Sequence, residues 1–252
     1  MPKSMQWERL YKMNAILFIC HGSRVESSCI EAINFIDSCK SELQHIPIIE
    51  SCFLELASPT IEEGFRRCVE QGATHIGVVP FLLLTAAHAL HDIPEELSEV
   101  QAAYPDVSVS YGQPIGVSPK MSQILVDKVT ETKVSLEDAQ VIIVGRGSSM
   151  VEVREQLNSI VDGTKESIPH PSICYLTACT PSFEDSLDEA LHSDCSTVII
   201  VPYLIFTGIL TRTIEKTIDT LNVMRKKVIV TEPLGTHRNL KEALLDRVAE
   251  VI

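Results

Sequence analysis

Apolar residues along this chain fall into short, nearly continuous runs, separated by stretches in which apolar residues recur every three or four positions. Val, Ile and Phe fill most of the continuous runs, which is typical of strands that are buried on both faces. The pattern predicts eight strands, at residues 15–20, 48–54, 75–81, 107–111, 141–145, 173–176, 197–203 and 227–231.

The stretches between these runs predict helices. In the first of them, apolar residues at steps of three and four mark one helix face. They are Val25, Cys29, Ile33, Ile36, Cys39 and Leu43. Residues 1–12, with Trp7, Leu10 and Tyr11, are compatible with a further short helix. Because strands and helices alternate, we expect βαβ units and parallel sheets in an α/β protein.

The second half of the chain repeats the first. The matching segments are 53–60 with 175–182, 79–86 with 201–208, and 20–23 with 145–148. The first two matches share one offset of 122 positions, and the third is offset by 125. A repeated offset indicates duplication. We therefore predict two duplicated domains, 1–133 and 134–252 with a linker near 133–139, each a four-stranded parallel sheet flanked by helices.

The composition is that of a globular protein, with 45% apolar and 22% charged residues in a chain of 252. The longest apolar run, 76–87, is too short to cross a bilayer, and the chain shows no secretory signal pattern. Eight cysteines are scattered without a C-x-x-C pair, so we interpret them as small buried residues in a reducing compartment. We expect a cytoplasmic protein without a membrane partner.

The formal net charge of −13 argues against nucleic acid as a partner, because phosphate neutralisation needs a basic surface. An anionic ligand would therefore need a locally basic site.

Ligands of open parallel sheets bind beyond the carboxyl ends of the strands, so we expect a functional cleft between the two domains. At four aligned positions there, only the first half has an imidazole or a carboxylate. The pairs are His21 with Arg146, Glu55 with Thr177, His88 with Leu210, and His91 with Thr213. The chemistry is therefore predicted to belong to the first half.

Two imidazoles and one carboxylate suit a divalent metal with open coordination positions, and the same groups can accept protons. The sequence leaves open which of His21, Glu55 and His88 is a ligand and which is a base. The role of His91, three residues after His88, is also left open. We interpret the remaining histidines as structural, for His75, or as surface residues without partners, for His45, His170, His192 and His237.

Several stretches together resemble one enzyme family, the class II chelatases, and in particular the double-length sirohydrochlorin chelatases. The resembling stretches are residues 19–24, 53–56, 72–89, 91–96, 145–149 and 202–208. The resemblance extends from about Ala15 to the end of the chain. It implies two flavodoxin-like, chelatase-type domains with the active site between them.

The resemblance also implies a reaction: insertion of a divalent metal into sirohydrochlorin without ATP, by a monomer that keeps no permanent cofactor. Iron or cobalt is then a substrate. Long cobalt-inserting members have a His-rich region and a cysteine-rich tail, which this chain lacks, so Fe(II) insertion to give siroheme is favoured over Co(II) insertion. Metalation releases two pyrrole protons, which need an acceptor.

Site residues follow from the same resemblance. His21 and His88 are implied to be catalytic and metal-binding, with the help of Glu55. For the polycarboxylate substrate we expect contacts from residues that line the cleft. They are Ser23, Arg24, Leu84, Thr85, Arg146, Ser148 and Thr207.

Three other classes of protein remain alternatives. A histidine phosphatase also has His-Gly after its first strand, but needs an Arg where this chain has Cys20. A non-catalytic metal or tetrapyrrole carrier could use the same cleft. A two-domain solute-binding protein is disfavoured by the missing export signal.

Overall fold

A computed structural model describes residues 13–220, 226–235 and 237–252 of the chain. The short helix predicted for residues 1–12 lies outside the described residues. Eight strands form two parallel four-stranded sheets.

The first sheet has the strand order β2-β1-β3-β4. Its strands are β1 (Asn14–Cys20), β2 (Ile48–Phe53), β3 (His75–Phe81) and β4 (Ser108–Tyr111). The helices of this half are α1 (Glu26–Cys39), α2 (Ile61–Glu70), α3 (Ile93–Ala102) and α4 (Pro119–Glu131), with a π-helical turn (His88–Asp92) directly before α3.

The second sheet repeats this order as β6-β5-β7-β8. Its strands are β5 (Ala139–Gly145), β6 (Ser172–Tyr175), β7 (Thr197–Pro202) and β8 (Lys227–Val230). The helices of this half are α5 (Val151–Asp162), α6 (Phe183–His192), α7 (Ile209–Thr220) and α8 (Arg238–Ala249). All eight predicted strands are present, each end within two residues of its predicted place, and the predicted duplicated α/β fold is confirmed.

Alternation along the central strands builds a core on each side of each sheet. Ile16 and Phe18 of β1 face a shared core between the two sheets, which also holds Val141 and Ile143 of β5. Leu17 of β1 points the other way, into a core beneath α2 and α3. The corresponding outer core of the second half lies beneath α6 and α7. The shared core is filled by α1, α4, α5 and α8, so the two halves pack through one continuous apolar layer.

The last helix packs against the first half of the chain as well as its own. Helix α8 lies on α4 and on strand β3. The Val251 carbonyl beyond α8 is 3.1 Å from His75 Nε2, and His75 Nδ1 is 2.9 Å from the Ser108 hydroxyl. His75 is thus a buried structural residue that fixes the chain end to the first sheet. The domain boundary at 133 stays a prediction, and its linker region contains a short 3₁₀ turn, Leu136–Asp138.

The duplication extends to details of the backbone. Both halves have a cis X–Pro peptide bond, at Ser58–Pro59 and at Thr180–Pro181. The residues with positive φ that precede them, Leu56 and Ala178, also correspond. The same turn thus follows the edge strand of each sheet.

All eight cysteines lie among the described residues and are free thiols, and five of them are buried. No helix of the described residues is long and apolar enough to cross a membrane.

Candidate active site

The site lies beyond the carboxyl ends of β1, β2 and β3, where the turns after these strands meet. Gly22 follows β1 with a φ of +93°, and a Cβ atom there would lie 1.8 Å from the Glu55 carbonyl oxygen. Only glycine allows this close approach. The Glu55 amide donates to the His21 carbonyl at 3.1 Å. The two turns therefore fix His21 and Glu55 side by side.

The His21 ring is oriented by its own turn. Its Nδ1 lies 3.2 Å from the Gly22 carbonyl, so Nδ1 carries the proton that it donates. Its Nε2 is buried, makes no hydrogen bond to any described residue, and lies 3.6 Å from Glu55 Oε1. The unprotonated Nε2 is therefore directed at the space between the three turns.

The pKa of His21 is lowered from its ordinary value, chiefly by burial, and further by the nearby charges of His88 and Arg146. Burial disfavours the charged imidazolium, and like charges oppose it again. His21 is therefore neutral at pH 7, and a neutral imidazole can bind a metal or accept a proton.

His88 opens the π-helical turn before α3. The Tyr111 hydroxyl donates to the Ala89 carbonyl at 2.8 Å and holds this turn against β4. His88 Nδ1 lies 2.6 Å from Asp92 Oδ2. The carboxylate accepts the Nδ1 proton, which leaves Nε2 of His88 free for a ligand. π-Helical turns are often found at functional sites.

The three predicted side chains meet. One ligand atom from each of His21, Glu55 and His88 can be chosen so that all lie within 4.8 Å of one another. The two imidazole rings are edge to face, with centroids 4.8 Å apart. All three side chains remain partly exposed, at 28%, 47% and 30%. The arrangement fits a divalent cation with three protein ligands and room for further ligands on the open side.

The second half provides a cation where the first half has the imidazole. Arg146 occupies the place of His21, and the Thr177 hydroxyl donates to the Arg146 carbonyl at 3.0 Å. Gly147 has a φ of +94°, as Gly22 does at its own turn. The backbone turn is therefore preserved in the second half, while its side chains at these two positions are Arg146 and Thr177 instead of His21 and Glu55.

The predicted substrate-binding residues fall into two groups. Arg24 and Arg146 are exposed at the turns after β1 and β5. Ser23 and Ser148 sit in matching turns, where each hydroxyl accepts a backbone amide hydrogen bond two residues ahead, at 3.0 and 3.1 Å. Leu84 is half-buried against the shared core.

The other two connect the halves of the molecule. The Thr85 amide donates to Gln156 Oε1 at 3.0 Å. The Thr207 hydroxyl is bonded to the Glu31 carboxylate, and the Thr207 carbonyl accepts from the Ser28 hydroxyl at 2.6 Å. The side chain of Thr207 is therefore already engaged with α1 in this structure.

Other histidines and one aspartate lie outside the cluster of His21, Glu55 and His88. His91 is exposed and lies outside the three-residue cluster. The interpretation of His237 as a surface residue without a partner is wrong: its Nε2 lies 3.1 Å from Asp127, and its Nδ1 accepts the Asn239 amide as the N-cap of α8. The partner of His237 is 110 positions away in the chain. His192 is exposed, as predicted, but the prediction that it has no partner is wrong, because its Nδ1 donates to the Asp188 carbonyl at 2.8 Å. Asp92 was missed as a site residue, although its spacing of four from His88 was a usable signal.

The family model described as CbiX matches this chain twice, over residues 15–132 and 140–251. The chain is 45% identical over 243 residues to a sirohydrochlorin ferrochelatase of Priestia megaterium, and the match covers 95% of this chain and 91% of the relative. A sirohydrochlorin cobaltochelatase of the same organism is 30% identical, with 94% and 80% covered.

A solved structure of a relative also matches this chain over most of its length. SirB from Bacillus subtilis with Fe3+ superposes with a TM-score of 0.86 at 42% sequence identity, covering 94% of each chain. The family model matches each half of the duplicated fold once. This chain belongs to the CbiX family.

Proposed function

We propose that this protein is a sirohydrochlorin ferrochelatase, which inserts Fe(II) into sirohydrochlorin to give siroheme. The observation on which this rests most is the meeting of His21, Glu55 and His88 in one partly exposed cluster. Membership of the family and the 45% identity to a ferrochelatase support the same assignment.

In the proposed reaction, His21, Glu55 and His88 first hold the metal. Nε2 of each imidazole provides a nitrogen ligand, because the Gly22 carbonyl and the Asp92 carboxylate engage the Nδ1 atoms. Glu55 supplies an oxygen ligand and one negative charge. Since the site is open on one side, the metal can pass to another set of ligands without first becoming free in water.

The macrocycle then replaces the protein ligands. Two pyrrole N–H bonds break, four ring nitrogens bind the metal, and two protons leave, so that the charge on the metal is balanced by the two nitrogens that lost protons. Each side chain that releases the metal becomes a free base beside a pyrrole proton. The lowered pKa of His21 favours the neutral imidazole, which can bind the metal and can accept a proton once the metal has left. No step requires ATP.

The cleft offers suitable walls and charges for the macrocycle. Leu84 and the exposed Leu56 and Leu90 provide apolar surface near the metal-binding cluster. We propose that Arg24 and Arg146 bind carboxylate substituents at its edge, since an arginine fork matches a carboxylate. These arginines would provide the locally basic site that an anionic substrate needs in a protein with a net charge of −13.

We further propose that the enzyme acts as a monomer in the cytoplasm. One chain supplies both walls of the cleft, so a second copy is not needed to complete it. Eight free thiols are typical of a reducing compartment.

The choice of iron over cobalt rests on similarity, because two imidazoles and a carboxylate can bind either metal. The chain is closer in sequence to the ferrochelatase than to the cobaltochelatase of the same organism. Cobalt insertion remains the second candidate, and competition between Fe(II) and Co(II) in one assay decides between them.

The test mixes purified protein, sirohydrochlorin and Fe(II) under anaerobic conditions, and follows the absorption change of the macrocycle. We expect multiple turnovers without ATP. His21→Ala and His88→Ala should each reduce the rate by about 100-fold. His192→Ala, which removes an exposed histidine on α6, is the matched control and should leave the rate unchanged.

A single stoichiometric binding event without turnover would show a carrier instead of an enzyme. Wild-type rates in both His21→Ala and His88→Ala would contradict the assigned site.

A further inference from the structure

The second half contains a polar surface pocket of about 420 Å³ that is separate from the metal-binding cluster. It lies where the turn after β5, the first turns of α5 and the loop after β6 meet. Its lining residues are Ser148, Ser149, Arg154, Ala178, Cys179 and Thr180.

Arg154 is the unusual member of this pocket. It is half-buried on α5, and within the described part of the chain it forms no ion pair and donates no hydrogen bond. Its Nε is fully buried without a partner. Burying an N–H donor unpaired is unfavourable, and more so when the group is charged. In a chain with 34 acidic residues against 21 basic ones, an arginine without a carboxylate partner among the described residues is available to an external anion.

The surroundings of Arg154 favour an anion for two more reasons. The Ser148 hydroxyl accepts the Met150 amide, so its own proton is free to be donated into the pocket. Helix α5 begins at Val151 without a side-chain hydrogen bond to its N-terminal amides from the described residues. The positive end of the helix dipole therefore also faces this region.

The first half lacks this chemistry. At the position on α1 that corresponds to Arg154 stands Cys29, whose thiol donates to the Ser23 carbonyl at 3.4 Å. In the second half Cys179, on the opposite side of the turn, donates to the Ser148 carbonyl instead. Because Cys179 in the loop makes this hydrogen bond in the second half, the helix position is occupied by Arg154 instead of a cysteine. Over the described residues, the two halves thus differ in two places: the first half alone has the cluster of His21, Glu55 and His88, and the second half alone has the unpaired Arg154.

The pocket borders the cleft through one short turn. Arg146 opens this turn and lies close enough to His21 to affect its pKa, and Ser148 and Ser149 follow at the pocket. Sirohydrochlorin has carboxylate substituents around its whole rim, so a macrocycle bound at the metal-binding cluster has one of them on the side of this turn. We propose that Arg154, with the Ser148 and Ser149 hydroxyls, binds one carboxylate substituent of the tetrapyrrole and so fixes its orientation. This inference rests on the proposed function.

The experiment measures the KM for sirohydrochlorin and kcat in metal insertion, for the wild type, Arg154→Met and Arg154→Lys. Arg66→Met, which removes an exposed arginine from α2, is the control for loss of one surface charge. Co(II) alone is titrated into each variant to test the metal site. Thermal melting checks that each variant folds.

We expect Arg154→Met to raise the KM about tenfold, equivalent to about 1.4 kcal/mol, with kcat and the Co(II) affinity unchanged. Arg154→Lys should recover most of the affinity, because it restores the charge. Arg66→Met should behave as the wild type.

An unchanged KM in Arg154→Met, in a wild type that turns over, would overturn the inference while leaving the proposed function intact. An equal rise in KM for Arg66→Met would also overturn the inference, because the effect would then be one of overall charge. Binding of inorganic phosphate that depends on Arg154, with an unchanged KM, would overturn it too, because the pocket would then bind a free anion. If the wild type does not turn over, the proposed function fails. The dissociation constant of sirohydrochlorin for each variant, measured by absorption, then still tests the pocket by the same tenfold difference.

Discussion

Asp92 fixes the orientation of His88, and its removal should weaken metal binding without unfolding the protein. The Nδ1–Oδ2 distance is 2.6 Å, and the carboxylate is the one partner of this ring nitrogen within the described residues. Without it, the His88 ring is free to rotate or to exchange its proton between Nδ1 and Nε2. Loss of such a partner typically reduces metal affinity between about tenfold and about 100-fold.

The structure places the expected effect at the lower end of that range. The Asp92 side chain is 51% exposed, so water screens its charge and can replace it as an acceptor. We expect Asp92→Ala to raise the dissociation constant of Co(II) about tenfold, or about 1.4 kcal/mol. Asp92 makes no capping hydrogen bond to α3 within the described structure, so the melting temperature should change little.

The assay is anaerobic calorimetric titration of Co(II) into the metal-free protein. Asp188→Ala is the matched control, because Asp188 also pairs with a histidine four positions away, His192, on α6. A dissociation constant for Asp92→Ala within twofold of the wild type would refute the reasoning. An equal loss in both variants would refute it as well, since the effect would then be one of overall charge.

Three further results are expected. Because burial and neighbouring charges lower the pKa of His21, its ring signals, followed by NMR against pH in the metal-free protein, should titrate below pH 6.5; a midpoint above pH 6.5 would contradict this. Arg146→Ala should raise the KM for sirohydrochlorin, and should move the titration of His21 to higher pH, because one of the charges that lower its pKa is removed; unchanged kinetics would exclude a role in substrate binding. Gly22→Ala should cost about 3 kcal/mol of unfolding free energy in denaturant, because its Cβ would meet the Glu55 carbonyl at 1.8 Å. Gly72→Ala, with a similar φ of +94° but no contact nearer than 3.4 Å, should cost only about 1 kcal/mol.

The fold could be predicted because its strands are buried on both faces and because the second half of the chain repeats the first, so that the two halves can be aligned with each other. Continuous Val and Ile runs distinguish such strands from amphipathic helices. The offset of 122 positions then aligned two turns that share a cis X–Pro bond and a positive φ, at Leu56 and Ala178.

The candidate site could be predicted for a related reason. A duplication preserves what the fold needs, so His21, Glu55 and His88 were recognisable as side chains that only one half has. Parallel strands bring their carboxyl ends to one edge, which places these three residues together.

Contacts between distant segments could not be predicted. The pairing of His237 with Asp127 and the packing of α8 on β3 depend on how helices of both halves share one core. The bond between Thr207 and Glu31 is of the same kind. No local pattern in the sequence reports such contacts, because they arise only once the two sheets have packed.

Crystals soaked with Co(II) test the central claim most directly, by anomalous diffraction at the cobalt absorption edge. A single peak within coordination distance of His21 Nε2, His88 Nε2 and a Glu55 carboxylate oxygen is expected, with no peak at Arg146, Thr177 and Leu210 in the second half. A cobalt peak elsewhere, with the two imidazoles turned away from each other, would contradict the assignment of the metal site to the first half.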